Sequence, residues 1–273
     1  MVPDLAPGTS HCQACGFFAS ELPIQINSVD RIDEDVRERA LKPVRLANFQ
    51  QLLAECADYL PRGTRLLDVG CAHGWFLEAA KTRGIECVGI EPDVDMERRA
   101  RLAGHDVIAG FFPAEMPPDM RFDAIIFNDV FEHLPDVSVA ASVLSDYLLP
   151  GGAVIVNLPV AEGFIFRAAR LAARFGVTGP LNRMWQIGLP SPHVSYFTSA
   201  ALSRLFTTAG FALLRQGQLA SIVTDGLYDR IRYDRSVGAL KAGALYTLAV
   251  AAVAFSKFFP SDIQYFIFQR QVP

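Results

Sequence analysis

From residue 65 onward, short apolar runs alternate with longer segments of helical composition, and this alternation constrains the fold more than any other feature of the chain. Residues 93–103 and 137–148 are examples of these helical segments. Strands that alternate with helices form a parallel sheet covered on both faces, and right-handed crossovers leave a doubly wound arrangement. The pattern therefore predicts an α/β fold with strands at residues 66–69, 88–90, 107–109, 122–127 and 153–158.

Length and composition agree with one large α/β domain. A chain of 273 residues buries most of its apolar surface without disulfide bonds. Apolar residues make up 51% and charged residues 20%, which excludes disorder along the whole chain. The net charge of −4 argues against general nucleic-acid binding, which needs a basic face. A mean hydropathy of +0.23 and 20 phenylalanines leave room for an apolar ligand, a membrane surface or a large partner interface.

The segments outside the alternating region follow other patterns. We expect residues 1–30 to form an irregular arm and residues 30–59 to be helical in two pieces, with a break at Pro43. We divide the chain into an arm with a lead-in helix (1–44) and the main domain (45–273). The later predicted elements are a helical piece and a Pro-rich loop within 160–192, a helix at 199–209, a strand at 211–219, a mostly helical stretch at 225–258 and a closing strand at 264–269.

Cysteine usage and apolar stretches bear on the compartment. The five cysteines are odd in number and spread through the chain, which argues against a disulfide framework. The first residues lack the charged and apolar regions of a signal peptide. The uncharged stretch 242–256 would span about 22 Å as a helix, short of the ~30 Å apolar core of a bilayer. We therefore expect a cytoplasmic protein with reduced thiols, and keep peripheral contact with a membrane surface as an alternative.

The strongest local signal is a glycine-containing turn between the first strand of the alternating region and the next helix. Gly70 and Gly74 permit a close backbone approach, and the helix after them begins with unpaired N–H groups. The second strand ends in Glu91, whose carboxylate can accept hydrogen bonds from ribose hydroxyls. Together these features favour an adenosine-type ligand over a tight turn with a helix-capping acid. The turn lacks the three-glycine spacing of a dinucleotide site, which weighs against an NAD-dependent oxidoreductase.

Four motifs, in this order, resemble those of class I S-adenosylmethionine-dependent methyltransferases, in particular the subset with quinone and small-molecule O-methyltransferases. They are Asp68-Val69-Gly70-Cys71-Ala72-His73-Gly74, Ile90-Glu91-Pro92-Asp93, the run from Phe122 to Pro135 with its Glu-His-Leu-Pro end, and Leu149-Pro150-Gly151-Gly152-Ala153-Val154. The resemblance covers residues 45–219 and the final strand. It implies a Rossmann-like methyltransferase fold, with a doubly wound, mostly parallel seven-stranded sheet, an antiparallel last strand, a helical lid at 160–198 and a helical insertion at 225–258.

The resemblance also implies a site for S-adenosylmethionine. Asp68 would orient the glycine loop and help to receive the methionine amino group, and Glu91 would hold the ribose hydroxyls. The other implied positions are Gly70, Cys71 and Gly74 beside the methionine part, Gly110 and Phe111 beside the adenine, and Asn128 and Asp129 near the transferring methyl group. One departure is Ala72, where the family often has glycine. Its methyl group fits if φ is negative, but it tightens the space for the cofactor.

Two histidines are candidate catalytic residues. His133 follows the fourth strand of the alternating region, where it is either a base or substrate anchor, or a neutral imidazole satisfied by the backbone. His193 lies between a proline and aromatic residues after the lid region, and we favour a role at the methyl acceptor over loop capping. Methyl transfer depends first on positioning, and a base adds to the rate only where the acceptor must lose a proton.

No metal site is predicted, although two clusters resemble parts of one. Asp129, Glu132 and His133 resemble an acid-acid-histidine cluster of quinone-type relatives in which a divalent ion assists. The preferred alternative is a capped helix start with solvated acids. Cys12 and Cys15 form half of a zinc-ribbon pattern without a second pair, so zinc is expected only if two chains share an ion.

Two further segments bear on the acceptor. Residues 163–175 predict a basic amphipathic helix with Arg167, Arg170 and Arg174 on one face. This face either meets anionic lipid or substrate, or is ordinary solvated lid surface, which we prefer. The apolar stretch 242–256 either touches a membrane, pairs with a second subunit or packs on the sheet, and we prefer packing.

The sequence therefore predicts an S-adenosylmethionine-dependent methyltransferase that acts by in-line displacement. The expected acceptor group is a hydroxyl of a small or lipid-like molecule, with nitrogen or carbon as lesser alternatives, and no nucleic-acid partner is expected. Two rivals use the same architecture. One is a non-catalytic protein that binds S-adenosylmethionine or another nucleotide, and the other is an NAD-dependent oxidoreductase.

Overall fold

The described part of the chain forms two β-sheets with helices packed around the larger one. The computed structural model describes residues 1–27, 34–221, 227–232, 238–256 and 259–271. The strands are β1 (Val2–Pro3), β2 (Thr9–His11), β3 (Phe18–Ser20), β4 (Arg65–Val69), β5 (Glu86–Glu91), β6 (Asp106–Ala109), β7 (Phe122–Asn128), β8 (Leu148–Pro159), β9 (Ser195–Tyr196), β10 (Phe211–Leu219) and β11 (Ile263–Arg270). The helices are α1 (Glu34–Glu55), α2 (Trp75–Lys81), α3 (Val94–Leu102), α4 (Val137–Tyr147), α5 (Phe164–Arg174), α6 (Gly179–Met184), α7 (Ser199–Thr208), α8 (Leu227–Arg232) and α9 (Ala239–Ser256).

The larger sheet has seven strands in the order β10-β11-β8-β7-β4-β5-β6. Neighbours from β8 to β6 run parallel, whereas β11 is antiparallel to both β8 and β10. The predicted doubly wound sheet with an antiparallel last strand is therefore confirmed. Because β4 has β5 on one side and β7 on the other, the strand order reverses there, and the carboxyl ends of these strands border a crevice.

Alternate residues of the central strands are buried on opposite faces of this sheet. Leu67 and Phe127 contribute to a cluster under α4 and α7, and Leu66 and Ile126 to one under α1 and α2. All four side chains are buried. Each side chain of this size stabilises the fold by about 1.5–3 kcal/mol on burial, which explains why the strands read as continuous apolar runs.

The N-terminal segment differs from its prediction as an irregular arm. Its strands β1, β2 and β3 pair antiparallel, and β9 of the lid region joins them in a second, four-stranded sheet. The sequence did not predict these strands, because strands of two or three residues are too short to show an alternating pattern. Residues 28–30 of the predicted arm lie outside the described residues.

The predicted break at Pro43 is also wrong, because Pro43 lies inside the continuous helix α1. The proline removes one backbone N–H from the helix. On the C-terminal side of Pro43, the buried side chains of Phe49, Leu52 and Leu53 pack against the sheet. These contacts hold the second half of the helix in place. Residue 44, the proposed boundary between the arm and the main domain, lies within this helix.

The lid region 160–198 contains α5, α6 and β9, and two carboxylates fix its first helix. Asp262 accepts hydrogen bonds from the backbone N–H groups of Ile165 and Phe166 and so caps α5. Asp4 accepts a 2.6 Å hydrogen bond from Arg170, whose guanidinium also lies 4.5 Å from the ring of Phe18. Arg170 therefore does not form part of a solvated basic face, in contrast to its predicted grouping with Arg167 and Arg174.

The helical insertion at 225–258 contains α8 and α9 in its described part, whereas residues 225–226, 233–237 and 257–258 lie outside the described residues. Ala242 of α9 is buried, and Leu240 is 94% exposed. Within the described ranges, no helix combines the length and the apolar character needed to cross a bilayer.

Candidate active site

A cavity of about 1080 Å³ lies at the carboxyl ends of β4, β5 and β7. It extends from the glycine loop after β4 to the lid region. The predicted site residues that line it are Asp68, Gly70, Cys71, Glu91, Gly110, Phe111, Asn128, Asp129, His133 and His193. Gly74 does not line it. The strand ends therefore bring together residues that are up to 125 positions apart in sequence, from Asp68 to His193.

The loop after β4 folds tightly, with several residues at positive φ. Gly70 has a φ of +71°, and a Cβ there would lie 2.6 Å from Val130. Gly74 has a φ of +75° at the start of α2, where a Cβ would lie 2.5 Å from His105. Ala72 has a φ of +46°, not the negative value expected from its side chain. This conformation costs about 1–2 kcal/mol for a residue with a Cβ, so the loop carries strain beside the cavity.

Glu91 at the end of β5 holds the glycine loop through its carboxylate. Its Oε2 accepts a 2.8 Å hydrogen bond from the N–H of Ala72, and its Oε1 accepts a 2.9 Å bond from the N–H of Asp93. Burial raises the pKa of Glu91 to about 7, although both hydrogen bonds oppose the shift. A carboxylate has about four lone-pair sites, so Glu91 can accept two further donors from the cavity.

Asp68 and Asn128 form a second polar pair, between β4 and β7. Asn128 Nδ2 donates a hydrogen bond to Asp68 Oδ1 at 3.3 Å. Burial raises the pKa of Asp68 to about 8. Asn128 Oδ1 is buried without a hydrogen-bond partner. A buried carboxyl group and an unsatisfied amide oxygen are both stabilised by a cationic donor, since burying such groups without a partner is costly.

Arg45 of α1 reaches the same end of the cavity and was not predicted. Its Nη1 donates a 2.9 Å hydrogen bond to Oδ2 of Asp129, which has a φ of +52°. Burial raises the pKa of Asp129, and the charge of Arg45 opposes this shift. The sequence offered no signal for this pair, because 84 positions separate the two residues.

Glu132, His133 and His193 form a buried cluster at the lid end of the cavity, which we call the acceptor cluster. Nε2 of each imidazole lies 3.9 Å from Glu132 Oε1. One ligand atom from each of the three residues lies within 4.8 Å of the others. Neither Glu132 oxygen has a hydrogen-bond partner in the structure. The predicted grouping of Asp129 with Glu132 and His133 differs, because Asp129 pairs with Arg45 and His193 joins the cluster.

Hydrogen bonds at the far side of each ring fix the protonation pattern of this cluster. His133 Nδ1 lies 2.8 Å from the carbonyl oxygen of Pro192, which can only accept, so Nδ1 carries the proton. His193 Nδ1 lies 3.1 Å from the hydroxyl of Tyr196, which donates its own proton to the carbonyl of Met184. His193 Nδ1 therefore donates as well. In the neutral His193 ring, Nε2 therefore accepts a 2.8 Å hydrogen bond from the side-chain amide of Gln186.

Burial sets the electrostatics of the acceptor cluster. It raises the pKa of Glu132 well above its usual value, with a further contribution from the charge of Asp129. It also lowers the pKa of His193 well below its usual value, and His133 adds to this effect. The two Glu132 oxygens are buried without a hydrogen-bond partner, which is costly unless the carboxyl group gains a proton or a cation. The cluster can therefore take up a proton or hold a divalent cation.

Apolar side chains from the arm and the lid enclose the cavity around the acceptor cluster. Those that sequence reasoning missed are Ile24 and Ile26 of the arm and Ile165, Met184, Leu189 and Tyr196 of the lid region. Ile165 lies in the predicted helix 163–175, but no sequence pattern shows that its side chain, or any of the others, faces the cavity.

Comparison with known proteins assigns the family. Residues 37–216 match a family profile described as a methyltransferase domain. A ubiquinone biosynthesis O-methyltransferase of Bradyrhizobium sp. (strain ORS 278) is 33% identical over 100 residues, which cover 35% of this chain and 40% of the relative. A protein of the same name from Alkalilimnicola ehrlichii is 30% identical over 124 residues, which cover 43% of this chain and 48% of the relative. The chain spans about half the length of the curated relatives it matches.

Solved structures share the fold. An S-adenosylmethionine-dependent methyltransferase of Thermotoga maritima aligns with a TM-score of 0.59 at 17% identity, covering 88% of this chain and 95% of that chain. This likeness concerns the fold alone. The family match, in contrast, spans most of the chain, from α1 to β10. The chain therefore belongs to the methyltransferase domain family, and its resemblance to class I S-adenosylmethionine-dependent methyltransferases is confirmed.

Proposed function

We propose that this protein transfers the methyl group of S-adenosylmethionine to a hydroxyl group of a small or lipid-like acceptor. The observation that carries the proposal is a single cavity that joins Asp68 and Glu91 to the acceptor cluster. The curated relatives are named O-methyltransferases, which supports oxygen over nitrogen or carbon as the methylated atom.

The residues at the β4 and β5 ends fit the cofactor. The buried Asp68 carboxyl group and the unsatisfied Asn128 Oδ1 suit the methionine ammonium group, and Glu91 has lone pairs left for the ribose hydroxyls. Arg45 has donors beyond the one used by Asp129, and these suit the methionine carboxylate. When bound, S-adenosylmethionine supplies an activated methyl carbon and its own leaving group.

The acceptor cluster supplies a place for the acceptor's proton. A hydroxyl that reaches the cluster passes its proton to the imidazole of His133, or to that of His193 in place of the Gln186 hydrogen bond. The ionised form of Glu132, 3.9 Å from both Nε2 atoms, stabilises the added charge. Glu132 is 1% exposed and His193 7% exposed, so little water reaches these two side chains. A base of this kind typically adds about 10²–10⁴ to the rate, and positioning lowers the barrier by roughly 7–11 kcal/mol.

The lid suggests that the acceptor is apolar and reaches the cavity from a membrane surface. Ile24, Ile165 and Leu189 give the cavity an apolar wall. At the end of α5, Leu171 is 55% exposed and Phe175 is 81% exposed. Arg167 and Arg174 flank these side chains and are themselves exposed. Exposed apolar residues with flanking arginines suit peripheral contact with an anionic lipid surface.

The proposal is tested by incubating the protein with methyl-labelled S-adenosylmethionine and a cell extract, and identifying the labelled product by mass. We expect a labelled methyl ether, and loss of the label with the Glu91→Ala and His193→Gln variants. A protein that binds the cofactor but labels no small molecule across broad extracts would contradict the proposal and favour a non-catalytic binding role.

A further inference from the structure

Three consecutive residues at the C-terminal end of α6 hold His193 and its neighbour Tyr196. The carbonyl of Met184 accepts a 3.0 Å hydrogen bond from the Tyr196 hydroxyl, and the carbonyl of Trp185 accepts a 3.2 Å bond from the N–H of His193. The side-chain amide of Gln186 lies 2.8 Å from His193 Nε2. The first two contacts use backbone carbonyl groups, whereas the third depends on the side chain of Gln186.

The direction of the third hydrogen bond follows from the other side of the imidazole ring. Burial raises the pKa of Tyr196 well above its usual value, so its hydroxyl keeps its proton and donates it to Met184. His193 Nδ1, 3.1 Å from the Tyr196 oxygen, then donates as well, which leaves the lone pair of the neutral ring at Nε2. Gln186 therefore presents its NH₂ group to Nε2, and not its oxygen.

A strained turn holds Gln186 against the imidazole at the wall of the cavity. Gln186 has a φ of +53°, a conformation that favours glycine and is strained for a residue with a Cβ. Its N–H donates to the carbonyl of Arg183 at 3.1 Å, and its carbonyl accepts from the N–H of Leu189 at 3.0 Å. Gln186 and His193 both line the cavity. The turn thus fixes the place from which the amide reaches Nε2.

The hydrogen bond from Gln186 occupies the nitrogen that a base at this position needs. A general base takes a proton from a group within hydrogen-bonding reach, at about 2.6–3.2 Å. A neutral imidazole has one nitrogen that accepts, and in His193 the amide of Gln186 already lies there. An acceptor hydroxyl must therefore displace the amide before His193 can take its proton.

We propose that Gln186 is a positioning residue that keeps His193 in its base form while the acceptor is absent, and that the acceptor hydroxyl then takes the place of the amide at Nε2. A donor at Nε2 stabilises the tautomer with its proton at Nδ1 and opposes protonation of the ring. Displacement of the amide costs one hydrogen bond, which weakens the binding of the acceptor. The inference rests on the proposed methyl transfer and assigns the role of base to His193.

The first test needs no acceptor and uses diethyl pyrocarbonate, which acylates the unprotonated nitrogen of a neutral imidazole. Gln186→Met keeps the length of the side chain and removes the donor, so His193 should react about 10-fold faster than in the unaltered protein, as followed by peptide mass spectrometry. The control Gln13→Met makes the same change at an exposed residue and should leave the rate unchanged. His11 serves as the reference within each sample. Equal rates for His193 in Gln186→Met and the unaltered protein would overturn the proposal.

A measurement on the unaltered protein does not depend on how the variant folds. Nitrogen NMR should find the proton of the neutral His193 ring at Nδ1, with Nε2 as a hydrogen-bonded acceptor. A proton at Nε2 would overturn the proposal, because Gln186 would then face the ring with its oxygen.

Steady-state kinetics with an identified acceptor provide the last test. The KM for the acceptor should be about 2–10-fold lower in Gln186→Met, with kcat unchanged, because the variant has no amide to displace. A residue that merely supports the lid loop would not produce this split, so an unchanged or higher KM, or a fall in kcat, would overturn the proposal. Absence of any labelled product with the unaltered protein would instead contradict the proposed function, and the reactivity of His193 would still decide the role of Gln186.

Discussion

The end of the cavity at β4 and β5, which we call the cofactor end, contains the buried acids Asp68 and Glu91. These two acids predict a specific dependence on pH. The pKa of Asp68 is raised to about 8 and that of Glu91 to about 7, from usual values of 3.8 and 4.5. Between pH 4 and pH 8, the folded protein without cofactor therefore binds more protons than the unfolded chain. Its stability falls as the pH rises through this range, from about 4 to about 8. In the proposed complex, the ammonium and hydroxyl groups of S-adenosylmethionine would favour the ionised acids instead.

We therefore expect the thermal stabilisation by S-adenosylmethionine to be greater near pH 8 than near pH 6. Melting temperatures at both pH values, with and without the cofactor, measure this effect. The Asp68→Asn variant should show a smaller difference between the two, since asparagine does not titrate. An equal shift at both pH values in the unaltered protein would contradict the assignment of these two acids.

A second prediction at the scale of the residue concerns Glu132. Glu132→Gln preserves the shape of the side chain but cannot take up a proton, so kcat should fall by about 10²-fold or more. The affinity for S-adenosylmethionine should change little, because Glu132 lies at the lid end of the cavity. The unaltered enzyme should become faster as pH rises, since the base form of the acceptor cluster is active, and this rise should be weaker in the variant. Steady-state kinetics across pH with an identified acceptor would settle it, and an unchanged kcat would exclude Glu132 from the proton's path.

At the scale of the element, predictability depended on length and periodicity. Strand β7 has seven residues, most of them apolar, and its position followed directly from the sequence. Strands β1 to β3 have two or three residues each and gave no such signal. Pro43 lowers the helical tendency locally, yet the packing of Phe49 and Leu53 outweighs it. Local propensity therefore failed where a tertiary contact decided the structure.

The lid helix α5 yields a prediction about membrane contact. Vesicles with anionic lipid should carry the protein upward in a flotation gradient at low salt, and less so at high salt, because Arg167 and Arg174 are screened. Phe175→Ser should reduce the bound fraction. Val139→Ser is the matched control, since Val139 is 48% exposed on a different helix, α4. Recovery of the unaltered protein in the unbound fraction at both salt concentrations would exclude this surface.

At the scale of the whole molecule, the two halves of the cavity were predictable to different degrees. The cofactor end is built from short motifs at the ends of consecutive strands, such as Asp68 and Glu91, and the order of these motifs in the sequence indicates their meeting point. The acceptor end depends on contacts across long stretches of chain. Glu132 meets His193 across 61 positions. One contact of this kind also reaches the cofactor end, where Arg45 meets Asp129 across 84 positions. No periodicity encodes these contacts, so the sequence grouped Glu132 with His133 and Asp129 but did not place His193 beside Glu132.

The account depends on the cavity at β4 and β5 being a site for S-adenosylmethionine, and calorimetric titration of the purified protein tests this most directly. We predict one site per chain, and an affinity lower by roughly 10–100-fold in Glu91→Ala, the range expected when hydrogen bonds to a charged group are lost. Glu86→Ala, at the exposed opposite end of the same strand, should bind as the unaltered protein does. An identical dissociation constant for Glu91→Ala and the unaltered protein would contradict the central claim.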